Sequence, residues 1–236
     1  RDEMAARAIT MAAVSGTYNM IHPDVHERRQ GHQRLGTLAS ACTEMGTSII
    51  TLCTGTRDPE DKWRRHPDND STEAWEDLLT SMNEALGITR QFGITLAIEP
   101  EVSNVVDSAK KARLLLDEMQ SPRLKIIMDP ANLFHLGELS RMQEILREAF
   151  DLLGEDIVIA HAKDLDRDGS AGEIAAGKGV LDYQVYLSLL ASSGFEGPLI
   201  MHGLRENEVG PSSSFLRRQI AMSDMADDAG AAKRAC

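Results

Sequence analysis

Four apolar runs in this 236-residue chain each end in a side chain able to bind a metal ion. Leu-Ala-Ile leads into Glu99, Lys-Ile-Ile-Met into Asp129, Ile-Val-Ile-Ala into His161 and Leu-Ile-Met into His202. Two carboxylates with two imidazoles suit Mn²⁺, Co²⁺ or Zn²⁺, whereas a pure Mg²⁺ or Ca²⁺ cage would want oxygen throughout. A divalent ion beside a carboxylate polarises a carbonyl, so that a general base can remove the proton on the next carbon. Singly, each residue has a plainer reading. Asp129 before Pro130 would serve a turn, and His161 would be a satisfied histidine at a strand end. Glu99 is badly placed to cap a helix, because Pro100 and further loop follow it. Recurrence after consecutive apolar runs is what marks a metal site.

Such residues meet only if the fold gathers the ends of their strands. The runs at 9–14, 48–53, 94–98, 124–128, 157–160 and 198–201 are apolar throughout rather than alternating, as buried parallel strands are. Helical stripes separate them. Leu35, Leu38, Cys42 and Met45 stop at Gly46, and Trp75, Leu78, Leu79, Met82 and Leu86 follow Ser71 and end near Gly93. Asp107 is placed to cap a helix carrying Ala112, Leu116 and Met119. Ser140 with Gln143 reads as a capping box, Asp182 as the next cap, and the serine run at Ser212 as the last helix start, with that helix fading near Met225.

Strand–helix alternation without a break in composition predicts one α/β domain over 1–225 and a flexible tail over 226–236. The four site residues are spaced 30, 32 and 41 apart, near the roughly 31 residues per unit of a (β/α)8 TIM barrel. No Gly-rich dinucleotide fingerprint follows the first strand, which argues against a Rossmann sheet. Six strands fall short of eight, so the barrel is expected to lack its first βα unit, about 40 residues, or to have a partner cover the gap.

A net charge of −12 argues against nucleic acid, and the one basic cluster, Arg64-Arg65-His66, is flanked by acids. No run reaches membrane length and no signal pattern opens the chain. Cys42, Cys53 and Cys236 form no paired framework. Reduced thiols and a cytoplasmic setting are the expectation.

Several segments carry a family resemblance. IEPE (98–101), MDPANLFH (128–135), HAKD (161–164), GKGVLDY (177–183) and GFEGPLIMHG (194–203) resemble the sugar phosphate isomerase/epimerase family, the xylose-isomerase-like TIM barrels. SGTYNMIHPD (15–24) is similar to that family's second strand–loop unit. The resemblance extends to about residue 220 and implies a metal held by Glu, Asp, His and Glu on successive strands. Glu99, Asp129 and His161 match in type and place, while His202 stands where the second Glu is expected. In the family's ketose epimerases the two glutamates also form the acid/base pair on opposite faces of the substrate.

The implied activity is a divalent-metal-dependent sugar or sugar-phosphate isomerase or epimerase working through an enediolate, with Mn²⁺ first among Mn²⁺, Co²⁺, Zn²⁺ and Mg²⁺. Glu99 is the candidate base. The second acid/base falls to His202, to Glu206 or to no residue, since a ligated imidazole does not readily shuttle protons. His22, Trp63, Glu101, Asn132, Lys163 and Asp164 are the candidate substrate contacts. His135 reads as structural, and His26 and His32 as solvated helix residues. The partner is a small sugar or sugar phosphate, and a homodimer is one way to cover the open edge.

Three alternatives accompany this reading. The superfamily's AP-endonuclease branch is disfavoured by the charge. A cyclitol dehydratase of the inosose type would begin with the same proton abstraction. A catalytically impaired barrel serving as a binding scaffold would explain His202.

Overall fold

The computed structural model describes residues 2–234, with side chains through Ser223. These residues fall into two compact units, Arg1–Ile127 and Met128–Cys236.

The first unit opens with α1 (Asp2–Ala6), then runs β1 (Val14–Ser15), α2 (Val25–Met45), β2 (Ile49–Cys53), α3 (Thr72–Arg90), β3 (Thr95–Glu99), α4 (Ala109–Met119) and β4 (Leu124–Met128), whose last residue begins the second unit. Its strands pair in parallel, with Val14 beside Ile50, Cys53 beside Glu99 and Ile98 beside Ile126. Ile50, Leu52, Leu96, Ile98 and Ile126 are buried, which explains runs with no polar alternation. The first strand is shorter than the 9–14 expected from the sequence. Ile9 is 53% exposed and its N–H closes back on Met4, so only Val14 and Ser15 reach the sheet.

Helix ends follow their capping chemistry. Asp24 accepts the His26 N–H at the start of α2, and Gly46 ends that helix at φ 88°, a left-handed conformation costly for other residues. Ser71 accepts the Ala74 N–H to start α3. At α4 the cap is Ser108, which accepts the Lys111 N–H, and not Asp107. The Asp107 carboxylate is instead held by Arg65 at 3.0 Å and Lys111 at 3.1 Å. His32 is buried rather than solvated: one ring nitrogen faces the Ser81 carbonyl at 3.1 Å and the other the Glu84 carboxylate at 2.8 Å.

The second unit carries single 3-10 turns at Pro130–Asn132 and Leu139–Arg141, then α5 (Met142–Leu153), β5 (Ile157–Asp164), β6 (Ile174–Ala175), α6 (Tyr183–Ser192), β7 (Leu199–Met201) and α7 (Glu206–Arg234). β5 pairs in parallel with β7, His161 opposite Ile200, and antiparallel with β6, Lys163 opposite Ala175. β7 pairs as far as Ala162 and β6 takes up Lys163 and Asp164, which together prolong β5 four residues past the apolar run, so His161 lies inside the strand. The predicted capping box does not form. Ser140 is exposed in the 3-10 turn, and the Gln143 amide donates to Asp182 at 2.8 Å. Asp182 does cap α6, accepting the Val185 N–H.

α7 starts six residues before Ser212. Glu208 accepts the Arg205 N–H at 2.7 Å, the backward half of a capping box, and Pro211 is accommodated inside the helix. The backbone continues helical past Met225 to Arg234. The side chains expected to form a tail over 226–236 lie outside the described residues. Among the described residues no helix is long and apolar enough to cross a membrane.

Candidate metal centre

Asp129, His161 and His202 converge in the second unit, with one ligand atom from each lying within 4.8 Å of the others. The strand layout explains the convergence. Asp129 follows the last residue of β4, while β5 and β7 lie side by side with His161 opposite Ile200, two residues before His202. The His202 N–H donates to the Ala162 carbonyl at 3.2 Å, which extends that pairing to His202 itself. The two imidazoles stack, with ring centroids 4.8 Å apart and planes 18° from parallel. Asp129 is fully buried and His161 nearly so, whereas His202 is exposed.

The Asp129 carboxylate is divided between two tasks. Oδ1 accepts the Ala131 N–H at 3.0 Å, which fixes the turn at Pro130. Oδ2 lies 3.2 Å from His161 Nδ1 and 2.9 Å from Lys163 Nζ. Burial alone would raise its pKa. The Lys163 ammonium and the His161 ring outweigh burial and hold the carboxyl well below the usual carboxylate range. Lys163 Nζ also donates to Asn132 Oδ1 at 2.8 Å. Alternation along β5 puts Lys163 on the His161 side of the strand, two residues on.

Two tyrosines of α6 fix the backbone beneath these side chains. Tyr186 Oη reaches the carbonyls of His161 at 3.0 Å and Met128 at 3.2 Å, and Tyr183 Oη donates to the Lys163 carbonyl at 2.9 Å. Burial pushes both phenols far up, so each stays a protonated donor. A pair of Tyr in an otherwise aliphatic stripe was the available sequence signal, because a buried phenol needs an acceptor.

The sequence matches the model of xylose isomerase-like TIM barrels over residues 2–219. The chain belongs to that family. No curated protein matches it in sequence. Its fold is shared by a D-tagatose 3-epimerase-like protein at TM-score 0.78 and 13% identity, covering 95% of this chain and 82% of that one. A xylose isomerase-like TIM barrel protein from Mycobacterium smegmatis in complex with magnesium gives 0.69 at 16% identity, covering 94% and 77%. The IOLI protein with a binding zinc atom gives 0.68 at 15% identity, covering 95% and 80%. At these identities the likeness establishes the barrel fold alone.

The donors of this xylose isomerase-like barrel fit a divalent cation. Metal–ligand bonds of ~2.0–2.2 Å put adjacent ligand atoms about 3 Å apart, as Asp129 Oδ2 and His161 Nδ1 are at 3.2 Å. One carboxylate with two imidazoles suits Zn²⁺, Co²⁺ or Mn²⁺. His202 is the exposed member of the set.

The remaining predicted residues lie in distinct settings. Glu99 ends β3 in the first unit, half-buried, with Cys53 as its register partner on β2. Burial pushes the Cys53 thiol up, and the Glu99 and Glu101 carboxylates add to that. Glu101 is buried and its carboxylate accepts the Ser103 N–H at 3.1 Å and the Asn104 amide at 2.5 Å, which organises the loop after β3. His22 has both ring nitrogens engaged, by the Asp24 N–H at 3.0 Å and the Pro59 carbonyl at 3.2 Å. It joins the loop after β1 to the loop after β2. Trp63 is half exposed on that second loop, with Lys62 Nζ 5.2 Å from its ring. The same loop is clamped by Asp58, which takes Arg64 in two hydrogen bonds and the N–H groups of Glu60 and Asp61. Asn132 and Lys163 stand at the Asp129 cluster. Asp164 points away from it: Oδ1 accepts the N–H groups of Leu165 and Leu181, and Oδ2 that of Gly177.

Proposed function

We propose that this chain is a divalent-metal-dependent isomerase or epimerase of a sugar or sugar phosphate. The observation that carries the reading is the Asp129–His161–His202 cluster, with Asp129 after β4, His161 within β5 and His202 after β7 of a xylose isomerase-like barrel. Asp129 and His161 would hold the ion, His202 would complete their set, and Glu99 is proposed as a further ligand. When bound, a divalent ion such as Mn²⁺, Co²⁺ or Zn²⁺ would polarise the substrate carbonyl and stabilise the charge that develops there.

The chain's own groups supply the rest. Glu99 takes the proton from the carbon next to the carbonyl. Return of that proton to the opposite face gives an epimer, and return to the neighbouring carbon gives an isomer. With His202 standing in the place of a glutamate, the returning acid is His202 or the neighbouring Glu206. Asn132 and Lys163 offer an amide and an ammonium for substrate oxygens at the same end of the strands. Trp63, exposed on the loop after β2, offers an apolar face of the size of a sugar ring.

The deciding experiment incubates the protein with Mn²⁺, Co²⁺ or Zn²⁺ and a panel of ketoses and ketose phosphates in ²H₂O. Deuterium should appear at the carbon next to the carbonyl, and Glu99→Gln should abolish its incorporation while the circular dichroism spectrum is kept. Failure of every ketose to exchange under all three metals would overturn the proposal.

A further inference from the structure

We infer that Lys163 is a resident competitor for the metal site, an ammonium that occupies the metal-facing oxygen of Asp129 until an arriving divalent ion hands it over to Asn132. The inference rests on the metal reading given above and concerns what controls occupancy of that site.

Three observations carry it. First, Asp129 Oδ2 is the oxygen beside the His161 ligand nitrogen, with Nδ1 at 3.2 Å, and it already has Lys163 Nζ at 2.9 Å, while Oδ1 accepts the Ala131 N–H. A carboxylate oxygen offers about two lone-pair directions, and an ammonium on one of them repels a second cation. Second, Nζ has a neutral acceptor at hand, Asn132 Oδ1 at 2.8 Å, so leaving Oδ2 does not strand it. Third, the lysine is held for this position. Its side chain is 6% exposed and that of Asp129 0%, its carbonyl is fixed by Tyr183, and Gly203 closes over its stem. Gly203 has φ +66°, and a Cβ there would stand 3.1 Å from Lys163 Cδ and 3.2 Å from Cγ, so the glycine admits the stem at a backbone angle other residues avoid.

A buried carboxylate without a counter-charge is strongly destabilising. Lys163 therefore keeps the metal-free cluster assembled, and it weakens metal binding in doing so. It is a positioning residue, acting through Asp129.

Isothermal calorimetry with Mn²⁺ alone and Zn²⁺ alone tests this on wild type, Lys163→Gln, Lys163→Arg and Asn132→Ala. Lys163→Gln should bind each ion more tightly, on the order of tenfold. Its metal-free melting temperature should be lower and its gain on metal addition larger than wild type's. Lys163→Arg keeps the charge and should bind no more tightly than wild type. Asn132→Ala removes the neutral acceptor and should weaken binding, which tests the hand-over even if Lys163→Gln does not fold. Equal or weaker binding by Lys163→Gln, with wild type binding normally, would overturn the role of the lysine alone. Absence of binding in wild type and every variant would overturn the metal reading as well.

Discussion

Tyr186 Oη lies 3.0 Å from the carbonyl oxygen of His161, and 3.2 Å from that of Met128, the residue before Asp129. One buried hydroxyl thus spans the two backbone segments that carry the inner metal candidates. Outer contacts of this kind orient ligands, and their loss typically costs 10–100-fold in metal affinity. Tyr186→Phe keeps the ring, including its edge contact with Phe150 at 6.0 Å between centroids, and removes only the donor. Two buried carbonyls then lack it, and stability should fall by about 1–2 kcal/mol. Urea unfolding reads the loss of stability and Mn²⁺ calorimetry the loss of metal affinity. Unchanged metal affinity would reduce Tyr186 to a packing residue.

His202 is the exposed member of the cluster and lies on His161 by stacking. Its replacement should therefore separate binding from folding. His202→Ala should leave the unfolding free energy within about 0.5 kcal/mol of wild type, as exposed positions do, while metal affinity drops at least about tenfold. The resemblance to two-glutamate epimerases makes His202→Glu the opposite test: it restores a carboxylate able to move a proton. That variant should incorporate solvent deuterium faster than the parent, and slower incorporation would argue that the imidazole is the working group.

The first unit carries a pH signature of its own. Arg64, bonded twice to Asp58, and the Glu60 and Asp61 N–H groups hold the Asp58 carboxyl far below the usual range, against the effect of burial. A depressed folded value means that the contribution is fully present above the unfolded value of about 3.9 and is lost as pH falls toward the folded one. The urea midpoint should thus decline below about pH 4. Asp58→Asn should lower that midpoint at pH 7 and flatten the acid decline. An acid limb as steep in the variant as in wild type would assign the decline to other carboxylates.

Much of the fold was legible because its signals are local. Apolar runs without alternation gave β2, β3, β4 and β7 to within a residue or so, and Ser71, Asp182 and Gly46 cap helices where their chemistry puts them. The misread ends have physical causes. Asp107 has a capping residue's side chain, but Arg65 and Lys111 hold it, and Ser108 beside it takes the cap. The Lys163–Asp164 end of β5 is paired by β6, a contact that hydrophobic pattern does not encode. For the candidate metal cluster, residue type at the ends of apolar runs brought out Asp129, His161 and His202 together. Pattern could not disclose that Lys163 would be held on Asp129, since that depends on alternation in the part of β5 the pattern missed.

Asp164 separates two roles that look alike in sequence. It stands next to Lys163 in a motif whose neighbours face the cluster, yet its carboxylate accepts three backbone N–H groups, from Leu165, Gly177 and Leu181, at 2.9–3.0 Å. Those bonds draw the two ends of the 165–181 loop onto the end of β5. Gly179 lies against the same carboxylate so closely that a Cβ would overlap it. Asp164→Asn places an amide donor against one of those N–H groups, so it should cost about 1–3 kcal/mol. Hydrogen exchange should rise across 165–181 while Mn²⁺ affinity changes less than about twofold, since the Asp129 cluster is not touched. A substrate contact would behave in the reverse way, with KM raised and exchange unchanged, and that outcome would return Asp164 to the binding site.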